Sequence, residues 1–121
     1  MAFPASEECI QIAETALGRR LPQELRERLR INNGGDVSTT EGDWILNPVR
    51  DASDRKRSAR TANDMVKETQ EARGWRSFPT GGIAVASNGA GDLLILQAGS
   101  ENMFLWNHET GTTSPVSVDW S

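Results

Sequence analysis

A chain of 121 residues with a net charge of −4, 36% hydrophobic and 25% charged, fits one globular domain. It is too apolar for a disordered chain and too polar for a membrane-embedded one. Apolar runs such as Leu93 to Leu96 are far shorter than a spanning helix, "MAFPASEECIQ" carries no secretory-signal regions, and the one cysteine, Cys9, allows no internal disulfide; a cytoplasmic protein is expected.

Ser6 is placed to N-cap a helix whose first turn holds Glu7 and Glu8, the favourable sign for the helix dipole. Ile10, Ala13 and Leu17 recur at helical spacing and Gly18 suits the C′ position. A second helix opens at Leu21-Pro22, with Pro22 at N1. Leu21, Leu25 and Leu29 form its inner stripe, and Arg26, Arg28 and Arg30 are expected to face water. Asn33-Gly34-Gly35 ends it, completing a helical hairpin over about residues 6–33. The run "DWILNPV" predicts a first strand over about 43–48, stopped by Pro48. The polar segment 50–60, "RDASDRKRSAR", has no apolar period and is expected to be an exposed basic loop. A third helix is predicted over about 61–73, capped at Thr61 with Asp64 three residues on, its inner stripe Ala62, Met65, Val66 and Thr69. Beyond Pro79 the period becomes that of strands. "GGIAVAS", "DLLILQA", "MFLWNHE" and "PVSVDW", split by turn signals, predict an antiparallel meander over about 82–120. Helices followed by strands give a single α+β domain over residues 1–121, the helices packed on a mainly antiparallel sheet.

The Gly-rich "SNGAGDLL" invites a phosphate-loop reading. Such a loop needs a helix N-terminus behind its glycines, and here a strand follows, with no Walker Lys and Ser/Thr. Gly91 and Asp92 are therefore read as a structural turn, Asp92 satisfying loop N–H groups. His108 is the one histidine. "HET" lacks the second His of a zinc-protease motif, so neither a metal nor a cofactor is expected. Arg55-Lys56-Arg57 has no interleaved aromatics, which argues against nucleic acid. Trp106 is expected in a core with Leu93, Ile95, Val116 and Val118, and the four tryptophans are expected to be mostly core, with one or two half-exposed at an interface.

The ordered series Leu17-Gly18, Leu21-Pro22, Asn33-Gly34-Gly35, Trp44 with Leu46 and Pro48, Gly91-Asp92, and Trp106 with His108-Glu109 resembles the SUKH superfamily, the Smi/Knr-type domain, over about residues 6–120. The resemblance implies an α+β domain without enzymatic activity, found in bacterial immunity proteins that bind and neutralise a cognate polymorphic toxin, often a nuclease, and in eukaryotic protein-binding regulators. The matching residues, Gly18, Pro22, Gly34, Gly35, Gly91, Asp92 and Trp106 among them, look like fold determinants and do not locate a binding surface. The 50–60 segment matches none of these motifs.

Charge is uneven. Residues 49–76 are net basic, whereas residues 77–121 carry Asp92, Glu101, Glu109 and Asp119 and no Lys or Arg. A base-free segment suits a basic protein partner and not nucleic acid or a membrane. Candidate partner-binding residues are Asp36, Glu41, Asp43 and Trp44, joined by Glu101 and Glu109 if the loops share one end. Two alternatives stand beside an immunity protein: a regulatory scaffold of the same fold, and a small hydrolase using His108 with a carboxylate.

Overall fold

The computed structural model describes residues 3–120. Helix α1 (Glu7–Leu17) begins where Ser6 Oγ accepts from the Cys9 N–H (3.1 Å) and ends at Gly18, whose φ of 80° is left-handed. Helix α2 (Gln23–Ile31) follows, with Pro22 at the N-cap, one position earlier than expected. Ile10, Ala13 and Leu17 of α1 and Leu21, Leu25 and Leu29 at α2 are buried.

Two arginines of α2 depart from the solvent-facing expectation: Arg26 is 5% and Arg28 8% exposed. Arg26 reaches across to α1, where Glu7 and Glu14 accept from it. Arg28 donates to the carbonyls of Asn32, Gly34 (2.8 Å) and Asp36 (3.2 Å). A buried cation must be paired or fully hydrogen-bonded. Arg26 takes the first route and Arg28 the second, tying down the Asn-Gly-Gly turn. Asn33 completes that turn from within: its amide donates to the Val49 carbonyl and its carbonyl accepts from the Val49 N–H, both at 2.9 Å.

The chain then forms a hairpin, β1 (Asp36–Thr39) and β2 (Gly42–Leu46), where the sequence suggested a single strand over 43–48. A second correction falls on the 50–60 segment. Arg55–Arg60 is a one-and-a-half-turn helix, α3, capped by Asp54 Oδ1 on the Arg57 N–H (2.8 Å). None of its residues is buried, which is why it leaves no apolar period. Thr61, expected to cap the next helix, instead ends α3 by donating to the Arg57 carbonyl. Helix α4 (Met65–Ala72) is capped by Asp64 and buries Met65, Thr69 and Ala72, while Ala62 is exposed.

Strands β3 (Ile83–Ser87), β4 (Leu93–Leu96), β5 (Met103–Trp106) and β6 (Thr113–Val116) form the expected meander. All six strands pair antiparallel in chain order. A bridge then joins the two margins: the Asp119 N–H donates to the Ser38 carbonyl (2.8 Å) and the Ser38 N–H to that of Asp119 (3.4 Å). The sheet is thus curled round on itself.

Its two faces are packed differently. The inner face, with Val37, Trp44, Leu46, Ile83, Val85, Leu94, Leu96 and Met103, closes over α1, α2 and Met65 of α4. The outer face holds a smaller cluster of Ala84, Leu93, Ile95 and Trp106, flanked in the sheet by Phe104 and packed against Ala72 and Phe78. Trp106 therefore keeps its expected neighbours Leu93 and Ile95 but not Val116 and Val118, which pack with the inner core. The register explains this: Val116 pairs with Met103, and Trp106, an odd number of residues on, points to the opposite face.

Candidate functional site

Turns alternate between the two ends of an antiparallel meander. The β1–β2, β3–β4 and β5–β6 turns share one end and the β4–β5 turn lies at the other. At the first end the glycine loop has a definite task. Asp92 Oδ1 accepts from the His108 N–H (3.1 Å) and faces the ring Nδ1 (2.7 Å). Gly91 has φ 103°, and a Cβ there would lie 2.9 Å from the same ring. Gly91, Asp92 and His108 therefore clasp two turns together. The hydrogen bond from the His108 ring holds the Asp92 carboxyl below its usual range, helped by the His108 amide and Asn88, with burial opposing. Among the described residues no His, Cys, Asp and Glu side chains group as metal ligands.

The candidate partner-binding carboxylates are divided between the ends. Glu41 and Glu109 lie in turns at the clasp end and both are exposed. Glu101 is at the other end, where Arg19 pairs with it at 2.8 Å and also donates to the Ser100 carbonyl. Its negative charge is therefore largely offset. Asp36 and Asp43 stand on the outer face of the hairpin, and Ser38 Oγ donates to Asp43 Oδ1 (3.1 Å). Trp44, next to Asp43 in sequence, points the other way. It is 2% exposed and its indole N–H donates to Thr39 Oγ1, so it supports the hairpin from inside.

The outer face is best followed along one row of paired residues: Asp36, Ile45, Ser87, Leu93, Trp106 and Thr113, one from each strand. Leu93 and Trp106 are buried. Their cover is the loop after α4, where Trp75 stacks on Trp106 at 5.9 Å and 20° and Phe78 meets it edge-on at 5.5 Å. The indole N–H of Trp106 donates to the Ser77 carbonyl (3.3 Å). Asp36 and Ile45 have no such cover, and Ile45 is 58% exposed. Where cover meets bare sheet there is a groove of about 230 Å³ lined by Asn47, Glu68, Trp75, Ser87, Gly89 and Leu93. Trp75, one of four tryptophans of which one or two were expected to be half-exposed, is 45% exposed there. Burial pushes the Glu68 carboxyl above its usual range, and Glu71 and Asp64 push the same way against Lys67.

Ile45, Glu68 and Trp75 were not among the sequence-derived candidates. Ile45 could have been read from "DWIL": if Trp44 and Leu46 face the core, Ile45 must face out. Glu68 and Trp75 carried no such signal, because a loop fold sets their surroundings. A second, larger groove of about 480 Å³ lies beside the helical hairpin, lined by Phe3, Asn32, Gly34, Pro48, Arg57 and Arg60. Both guanidiniums stack on Phe3, at 4.7 and 5.2 Å from its centroid. Its cationic wall is opposite in sign to the outer face.

No helix of the described residues is long and apolar enough to cross a membrane. Searches of curated proteins and of solved structures returned no match. The model of the SMI1 / KNR4 family (SUKH-1) matches residues 4–121, almost the whole chain, in agreement with the curled antiparallel sheet and its helical cover. This chain belongs to the SMI1 / KNR4 family (SUKH-1), whose domains are known as immunity-protein-like.

Proposed function

We propose that this protein is a non-enzymatic binding domain of the immunity type, which neutralises a cognate bacterial toxin by covering a basic surface on it, such as that of a nuclease. The carrying observation is the bare half of the outer sheet face, where exposed Ile45 stands among Asp36, Asp43 and Glu41. An exposed apolar side chain flanked by carboxylates suits a cationic partner: the carboxylates steer the approach and the apolar contact excludes water. The Asp92–His108 pair, built into a clasp between turns, has a structural use that favours this reading over a hydrolase.

Co-purification with the product of the neighbouring gene identifies the partner. With that partner in hand, reversing charge at Glu41→Lys and Asp43→Lys together slows association and flattens its salt dependence, while thermal unfolding is unchanged. Association at the wild-type rate with the wild-type salt slope overturns the assignment. The Phe3–Arg57–Arg60 groove would then be where an acidic partner docks, as on a regulatory scaffold of this fold.

A further inference from the structure

We propose that the groove between Trp75 and Glu68 is a slot for one arginine or lysine side chain of the protein partner. This rests on the reading of the outer face as a surface for a basic protein, and names the contact at its margin.

Size is the first argument. At about 230 Å³ the groove is below the range of pockets that hold a cofactor or metabolite, about 300–1,000 Å³, but it has room for one long side chain. The second is the aromatic wall. Trp75 is 45% exposed, yet its ring is not loose, because one face lies against the buried indole of Trp106. The residue also lines the groove. The backbone beneath is fixed too: Ser77 holds a φ of 68°, unusual for a residue with a side chain, and Gly111 packs so closely that a Cβ there would be 2.7 Å from Ser77 Oγ.

The third argument is charge. Glu68 is half-buried and hydrogen-bonded to the Glu71 side chain, and Glu71 and Asp64 add negative potential that Lys67 opposes. The salt bridges of the described residues do not include Glu68. A guanidinium entering the slot stacks on the indole and donates to the carboxylate in one pose, and an ammonium makes the same two contacts less completely. Such an aromatic and acidic notch beside an apolar patch is the kind of place where an interface anchors an arginine.

The test uses the whole protein and a capped tripeptide, acetyl-Gly-Arg-Gly-amide, with its citrulline counterpart as the uncharged control. The arginine peptide shifts the Trp75 indole N–H resonance saturably, the citrulline peptide does not, and Glu68→Gln and Trp75→Leu each weaken binding by about fivefold to tenfold. Equal response to both peptides, or Glu68→Gln binding within about twofold of wild type, overturns the slot. Glu68→Gln preserves shape, so its result stands even if Trp75→Leu loosens the loop. The two readings fail separately. A slot refuted by peptide leaves the outer face standing if Glu41→Lys with Asp43→Lys still slows a verified partner. Saturable arginine binding with no basic partner captured keeps the slot and removes the immunity assignment.

Discussion

The inner and outer faces of this sheet are made from the same strands yet obey different rules. On the inner face nearly every side chain is apolar and packs into one core with helices α1 and α2, which closes the face from β1 to β4 and leaves it partly open at β6. On the outer face the row from Asp36 to Thr113 changes character midway: Leu93 and Trp106 are roofed by Trp75 and Phe78, while Asp36 and Ile45 are open. A sheet face that is half-covered has a margin, and the margin is where an aromatic and a desolvated carboxylate meet. The incompletely covered face is backed by the packed core on the other side.

Substitutions along the row sharpen this contrast. The largest effect is expected at Trp106→Ala, which removes the support of the roof and should cost about 3–5 kcal/mol in denaturant unfolding, the range for deleting a buried aromatic. A cost under about 1 kcal/mol would mean that the outer cluster adds little to the fold and the two faces are not comparable cores. Asp92→Ala should cost about 0.5–1.5 kcal/mol, because the exposed His108 N–H exchanges its acceptor for water and the turns at one end are released. This effect depends on pH. A carboxyl whose folded pKa is depressed adds stability above its unfolded value, near pH 4, and the contribution is lost as pH falls through the folded value. The gap in Tm between wild type and Asp92→Ala should therefore be full at neutral pH and narrow below about pH 4. The smallest effect belongs to the bare half. Ile45→Ser should change stability by less than about 0.5 kcal/mol while weakening partner binding, and a large loss of stability would show that Ile45 is a core residue after all.

Much of the fold was legible because its signals are local. Ser6, Gly18 and the Leu21–Leu25–Leu29 spacing fix α1 and α2 by caps and period alone. The apolar runs of β3, β4 and β5 fix the meander in the same way. Elements without an apolar period were invisible. Strand β1, "DVST", buries only Val37, and α3 buries nothing, so neither differs in composition from a loop. Arg26 and Arg28 read as solvated because their partners, two carboxylates on another helix and three carbonyls in a turn, are set by tertiary structure. The candidate site suffered most from this. Carboxylates could be named, but Trp44, a candidate partner contact, is 2% exposed, and the exposure of Trp75 depends on where a loop lands.

The bridge between Ser38 and Asp119 has a consequence for how this chain behaves in company. A meander has two marginal strands, each a row of backbone groups able to recruit another molecule, and β1 and β6 are those margins here. Two hydrogen bonds contributed from beyond β6 set one margin against the other. The tail after Val116 therefore covers part of the β1 margin, at Ser38. Whatever draws Asp119 off Ser38, a bulky fusion or a proline in the tail, would uncover β1 beside the very face proposed for a partner, and copies of the chain would compete for it.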